Sequence, residues 1–332
     1  MRLNVPPLWL LPFNACRFWL EQHLPKRGES VPPTLWDLNP LVADWSHPDT
    51  AVWQARERVL SERYPLLETL IPAMPQTWVR LESLQHLHWL DAHVTPWVQA
   101  VATRWLQQQP WRGLDIGSKQ WAYAPAQLAW LHTLQAWGAE LNETTQGSGF
   151  PRADFYGAEF HGMELDAYRR YAGGWSRWNY AQGVVALAPD RLHYHVGNVL
   201  THHPPHRYQV IVHSLPFVVP DPHLHWGLPW HTYQPLAVLC HVIEHLLAEN
   251  GLLFIMNLTP AEAHAQERLF QEAQAQLGER LSWQQHRIHD MGDSFIASTH
   301  RRVGWVLQRC EPTSVAAQNR TATEQKVDSQ VS

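Results

Sequence analysis

Cysteine is almost missing from this 332-residue chain: Cys16, Cys240 and Cys310 lie far apart and are odd in number. That excludes a disulfide framework and a multi-cysteine metal cage. Lysine is equally scarce, with Lys26, Lys119 and Lys326 set against 22 arginines, and charged residues make up only 17% of the chain. A net charge of −5 and a pI near 6.5 describe no broadly basic surface, so there is no general nucleic-acid-binding signature. No apolar run reaches the ~18 residues of a membrane span. The opening residues, MRLNVPPLWLLPF, carry prolines and no small-residue cleavage site. The expectation is a soluble, cytoplasmic protein with no membrane partner. No G-x-G-x-x-G follows any strand candidate, which argues against a nicotinamide dinucleotide site.

What the chain has in excess is tryptophan (19) and histidine (22), within a hydrophobic fraction of 45% that supplies ample core. Ten of the tryptophans fall in the first 111 residues, at spacings that suit a helical core better than a ligand box. Residues 1–47 read as proline-rich and irregular, and from Asp49 the pattern turns helical. Leu81, Leu84, Leu87, Leu90, Val94, Trp97, Val101 and Trp105 recur at steps of three or four. Thr95-Pro96 inside that run predicts an N-cap with Pro at the first helical position, and so a kink or break. Residues 1–110 form, on this reading, a Pro/Trp-rich helical extension that offers a surface for a protein partner or self-association.

From Trp111 strand-length apolar runs alternate with helical stretches, the pattern of a parallel sheet covered by helices. Strands are expected at 113–117, 159–165, 191–196, 208–213 and 252–256, and helices at 125–137, 167–187, 236–249 and 261–280. Two last runs, 281–289 and 303–309, have no crossover between them and should pair antiparallel. The fold class expected for 111–310 is therefore α/β with seven strands, and the polar tail 311–332 is expected to be disordered.

In open parallel sheets ligands bind beyond the carboxyl ends of the strands. The first such turn reads Leu114-Asp115-Ile116-Gly117-Ser118-Lys119-Gln120-Trp121, where Asp-x-Gly lets backbone approach a ligand. The second strand ends in Gly162-Met163-Glu164-Leu165-Asp166, and a carboxylate there can accept both hydroxyls of a ribose.

This arrangement resembles the class I S-adenosylmethionine-dependent methyltransferases, which have a Rossmann-like sheet closed by an antiparallel hairpin. The resemblance covers roughly 111–310 and rests on the order of elements as much as on letters. It implies S-adenosylmethionine as cofactor and an acceptor it does not identify. It implies that Asp115, Gly117 and Ser118 form the cofactor loop and that Glu164 binds the ribose. Gly197-Asn198-Val199 at the end of the third strand would place Asn198 and Val199 against the adenine. His213 and Ser214 would lie near the sulfonium end. Pro216 and Phe217 match half of the Asp/Asn-Pro-Pro-Tyr/Phe loop of amino-directed members. The chain departs from the pattern in keeping one of three loop glycines, with Lys119 and Trp121 standing for the other two.

Other constellations stay open beside it. Residues 218–230 (VVPDPHLHWGLPW) form a long loop in which Trp226 and Trp230 are candidates to stack a flat substrate, and His223 or His225 to act as a general base. His241-x-x-Glu244-His245 matches H-x-x-E-H, a zinc-peptidase motif, here on a helix leading into a buried strand, and gives a zinc-dependent hydrolase as a third reading. His202-His203-Pro204-Pro205-His206 reads as a solvated turn. A non-catalytic methyltransferase-like binding or scaffold protein is the second reading.

Overall fold

The computed structural model describes residues 10–23, 50–71, 78–106, 108, 110–146, 157–171, 174–278, 281–288 and 302–310. The expected tail at 311–332 lies outside them.

Seven strands form one sheet: β1 Arg112–Ile116, β2 Glu159–Glu164, β3 Leu192–Val196, β4 Tyr208–Ser214, β5 Leu247–Asn257, β6 Ser282–Ile288 and β7 Val303–Cys310. Their order is β3-β2-β1-β4-β5-β7-β6. The pairs from β3 to β5 are parallel, and β7 runs antiparallel to both β5 and β6. This is the three-layer, Rossmann-like α/β sheet of seven strands, closed by an antiparallel strand, that the element order predicts.

The helices are α1 Leu10–His23, α2 Thr50–Arg63, α3 Pro65–Leu70, α4 Trp78–Trp89, α5 Thr95–Val101, α6 Ala124–Gln146, α7 Arg177–Val185, α8 Pro220–His225, α9 Pro235–His241 and α10 Pro260–Leu277. None of those described is long and apolar enough to cross a membrane.

Several boundaries differ from expectation for identifiable reasons. α1 lies in a stretch read as irregular; its Pro12 falls in the first turn, where no intrahelical N–H is lost. Thr95 is not an N-cap. A π turn, Leu90–Val94, carries the chain from α4 into α5, and the Thr95 hydroxyl donates to the Leu90 carbonyl. α6 runs nine residues beyond the predicted 137. The helix read over 167–187 occupies only its second half, because Ser176 starts it with a capping box to Asn179.

Alternation along the strands divides the core. Val210, Val212, Leu252 and Phe254 face the extension and α6, where they meet Leu87, Leu90, Val98, Trp105 and Leu128. Leu114, Ile116, Ile211, Leu253 and Ile255 face α9 and α10. Among the described indoles of the first 111 residues, Trp89, Trp105 and Trp111 are core, Trp97 is half-buried and Trp19 is exposed; Trp105 and Trp111 are wholly buried and pack edge to face at 5.2 Å. Each buried indole contributes about 5 kcal/mol of transfer free energy as an upper estimate.

Candidate functional site

The chain winds outward from β1 to β3, then crosses back to β4, so the order reverses between β1 and β4. At the carboxyl ends there lies a cavity of about 270 Å³ with walls from β1, β2, β3, β4 and the segment 216–235. This is where the topology of an open sheet places a ligand.

The loop after β1 keeps an unusual backbone. Gly117 has φ +77°, and its N–H donates to the Met163 carbonyl at 2.8 Å. Lys119 and Trp121 also lie in the left-handed region, at φ 55° and 56°. They are the two residues standing for loop glycines in the resemblance, so the chain adopts a glycine-type path without glycine. Such a conformation costs an L-residue about 1–2 kcal/mol. Packing compensates: the Trp121 indole is wholly buried and donates to Gln127 Oε1 at 2.8 Å.

Gly117, Glu164, Asn198, Val199, His213, Ser214, Pro216, Phe217 and Trp226 all line the cavity, brought together from four strands and a loop. Asp115 and Ser118 do not line it. Strand alternation gives Ile116 to the cavity and turns Asp115 to the opposite face, beneath Tyr123 and Gln127. There both carboxylate oxygens are enclosed without a hydrogen bond of ordinary geometry, and burial pushes the carboxyl up to about 7. The Ser118 hydroxyl is likewise enclosed.

Glu164 is already well held. Its Oε1 accepts from the Asp166 N–H at 2.8 Å and from Arg177 at 3.1 Å, and its Oε2 accepts from the Lys119 N–H at 2.8 Å. An ionised carboxylate offers about four lone-pair sites, which leaves one on Oε2 for a ligand hydroxyl. Asn198 Oδ1 caps the turn Val199–Thr201 by accepting from Leu200 N–H at 3.0 Å, so its amide N–H groups are what it can offer a ligand.

The far end of the cavity is aromatic. His213 is half-buried, and desolvation pushes its imidazole down to about 4. Leu215 takes φ 54° and turns the chain into Pro216-Phe217. Phe217 meets His223 edge to face at 5.4 Å. His223 Nε2–H donates to the Pro229 carbonyl at 2.9 Å, which leaves Nδ1 with its lone pair, and burial keeps the ring neutral. Trp226 lies over the Lys119 ammonium at 4.5 Å. His225 is exposed beside Asp221, and Trp230 is half-exposed and stacked on Tyr233; neither lines the cavity.

Sequence reasoning passed over Arg177, Arg17 and Asn14. Arg17 reaches from α1 to Asp166 at 3.2 Å and to the Gly227 carbonyl at 2.6 Å. Asn14 is buried and donates to the carbonyls of Leu224 and Leu228 at 2.8 and 3.2 Å. The helix α1 thereby holds the segment that forms the cavity's roof. Nothing local marks Arg17 and Asn14, since these partners lie 149 to 214 positions away, whereas Arg177 meets Glu164 13 positions back along the chain.

His241 and His245 stand 5.1 Å apart between ring centroids, at the junction of α9 and a π turn, Val242–Leu246. His241 Nε2 faces the His202 carbonyl at 3.2 Å, and His245 pairs with Glu244 at 3.5 Å. No third ligand joins them among the described residues. His202, expected in a solvated turn, is half-buried, stacks on Tyr208 and faces its hydroxyl at 2.9 Å.

No protein-family model matches this sequence, and no curated protein matches it. Solved structures with a similar arrangement include an S-adenosylmethionine-dependent methyltransferase from Clostridium acetobutylicum, 7% identical over 68% of this chain and 98% of that one, with a TM-score of 0.37. An S-adenosylmethionine-bound amino pentose methyltransferase from Micromonospora echinaspora is 12% identical over 71% of this chain and 99% of its own, also at 0.37. A ribosomal protein L11 methylase from Lactobacillus delbrueckii subsp. bulgaricus is 13% identical over 66% and 80%, at 0.34. At such values nothing about this chain rests on them.

Proposed function

We propose that this chain is an S-adenosylmethionine-dependent methyltransferase whose cofactor lies in the cavity between Gly117, Glu164 and Asn198. The observation that carries the reading is the convergence of three strand ends at the topological switch. β1 contributes a left-handed Gly117 turn that keeps side chains off the cavity wall. β2 contributes a held carboxylate, Glu164, with one lone-pair site to spare. β3 contributes the Asn198 amide at the depth where an adenine edge would end.

Bound there, the cofactor supplies a methyl group activated on a sulfonium. Glu164 orients it by accepting a ribose hydroxyl. Lys119, buried beside Glu164, is placed to pair with its carboxylate. Ser214, Pro216 and Phe217 form the wall on which an acceptor is aligned, and Trp226 and Phe217 exclude water from it. His223 Nδ1 is the lone pair available to take an acceptor's proton as the methyl group arrives. The lining favours an acceptor with an apolar, planar body.

The test is calorimetric titration of the full chain with S-adenosylhomocysteine, beside Glu164→Gln. Micromolar, saturable binding that weakens at least ten-fold in the variant supports the reading. Absence of heat from folded wild-type protein overturns it. That outcome would favour the non-catalytic reading, for which the existing Glu164–Arg177 pair is the specific argument.

A further inference from the structure

The amino-terminal halves of β2 and β3 carry a second cluster, remote from the cavity. On most of the sheet's α9/α10 face, apolar side chains meet helices. The link from β3 to β4 holds a single 3-10 turn, Val199–Thr201, and no helix. Imidazoles stand on the face beside this short link. His161 lies opposite His193 in the parallel register, and His195 lies two positions further along, opposite Met163.

Glu159 and His161 are two apart on β2 and so share that face. One carboxylate oxygen of Glu159, one ring nitrogen of His161 and one of His193 all lie within 4.8 Å of one another. Two more observations point to a ligand. His161 Nε2 is buried without a hydrogen-bond partner, 3.8 Å from Glu159 Oε2. His161 Nδ1 lies 2.9 Å from His195 Nε2. With the proton on Nδ1 donated to His195, the Nε2 lone pair of His161 points at Glu159 and His193. A metal-bound histidine is held in the same way, its second nitrogen donating to an outer acceptor.

We infer that Glu159, His161 and His193 bind a zinc-class divalent cation, with His195 as the positioning residue for His161. Two imidazoles and one carboxylate, with no thiolate, suit zinc, cobalt or nickel better than calcium or magnesium. Tetrahedral zinc brings ligand atoms to roughly 3.3 Å of one another, so the side chains close by about an ångström. Water takes the fourth position. Arg112 Nε donates to Glu159 Oε2 at 3.0 Å, which orients that carboxylate and leaves Oε1 available. The bound ion would cross-link β3, an edge strand, to β2.

The experiment is calorimetric titration of chelator-dialysed full-length protein with zinc chloride, with circular dichroism to establish folding. The expected result is one equivalent at micromolar affinity or better. His161→Gln and His193→Gln each weaken it at least 100-fold. His195→Ala weakens it about ten-fold, and His195→Gln, which retains an acceptor, restores it. His241→Gln leaves the titration unchanged. Should His161→Gln not fold, His193→Gln on the edge strand decides. No heat from folded wild-type protein overturns the site, as does binding that survives His193→Gln or is lost in His241→Gln. The readout is independent of methyl transfer.

Discussion

The indole of Trp121 lies flat against the backbone of Gly162, where a Cβ would stand 2.7 Å from the ring. One β2 glycine thus seats the residue that shapes the loop after β1, and that loop depends on an atom missing from its neighbour.

Gly162→Ala must push the indole out or bend β2. The expected cost is about 1–3 kcal/mol, as for other overpacked core positions. Affinity for S-adenosylhomocysteine should fall at least ten-fold because the loop moves with Trp121. Urea unfolding and calorimetry on the same preparation check both numbers.

Lys119 sits at φ 55°, so its substitutions separate backbone strain from side-chain loss. Lys119→Gly and Lys119→Ala both remove the ammonium over Trp226, but only glycine relieves the strain. The glycine variant should be the more stable of the two by about 1 kcal/mol. Equal unfolding midpoints, or a more stable alanine variant, would refute the strained backbone.

Two groups give opposite pH dependences. Asp115 holds its proton to about pH 7 when folded, against a usual value of 3.8, so the folded state binds more protons between them. Its contribution to stability therefore falls as pH rises through that window, by at most about 1.4 kcal/mol per unit. Half-buried His213 titrates near 4 rather than 6.5, so there the unfolded state binds more protons and stability falls as pH drops from 6.5 towards 4. Relative to wild type, Asp115→Asn should gain stability from pH 4 to 7, and His213→Gln should gain from pH 6.5 down to 4. Urea midpoints across pH 4–8 read both difference curves.

The roof over the cavity hangs on α1. Arg17→Met removes the Asp166 ion pair and the bond to the Gly227 carbonyl, and Asn14→Ala removes those to Leu224 and Leu228. The double variant should exchange amide hydrogens faster across residues 10–23 and 220–228 while β1, β4 and β5 stay protected. It should also release S-adenosylhomocysteine faster. Unchanged exchange in α1 would mean that these bonds do not hold it.

The seven strands and the antiparallel pairing of the last two follow from apolar runs and from the spacing of helical stretches, signals that a few neighbouring residues carry, while their order across the sheet does not. That Gly117, Glu164 and Asn198 meet at one cavity was legible as well, because they lie at the carboxyl ends of parallel strands. Asp115 was not. A strand's alternation says that Asp115 and Ile116 face opposite ways, but only the packing of the extension and α6 on one face decides which of them meets the cavity. The same holds for Trp121, a left-handed residue that packs on Gly162 and bonds Gln127, and for the Arg17–Asp166 pair. Periodicity is local and can be read from the chain itself; which buried charges meet depends on contacts between segments far apart in sequence, which exist only once the layers have packed.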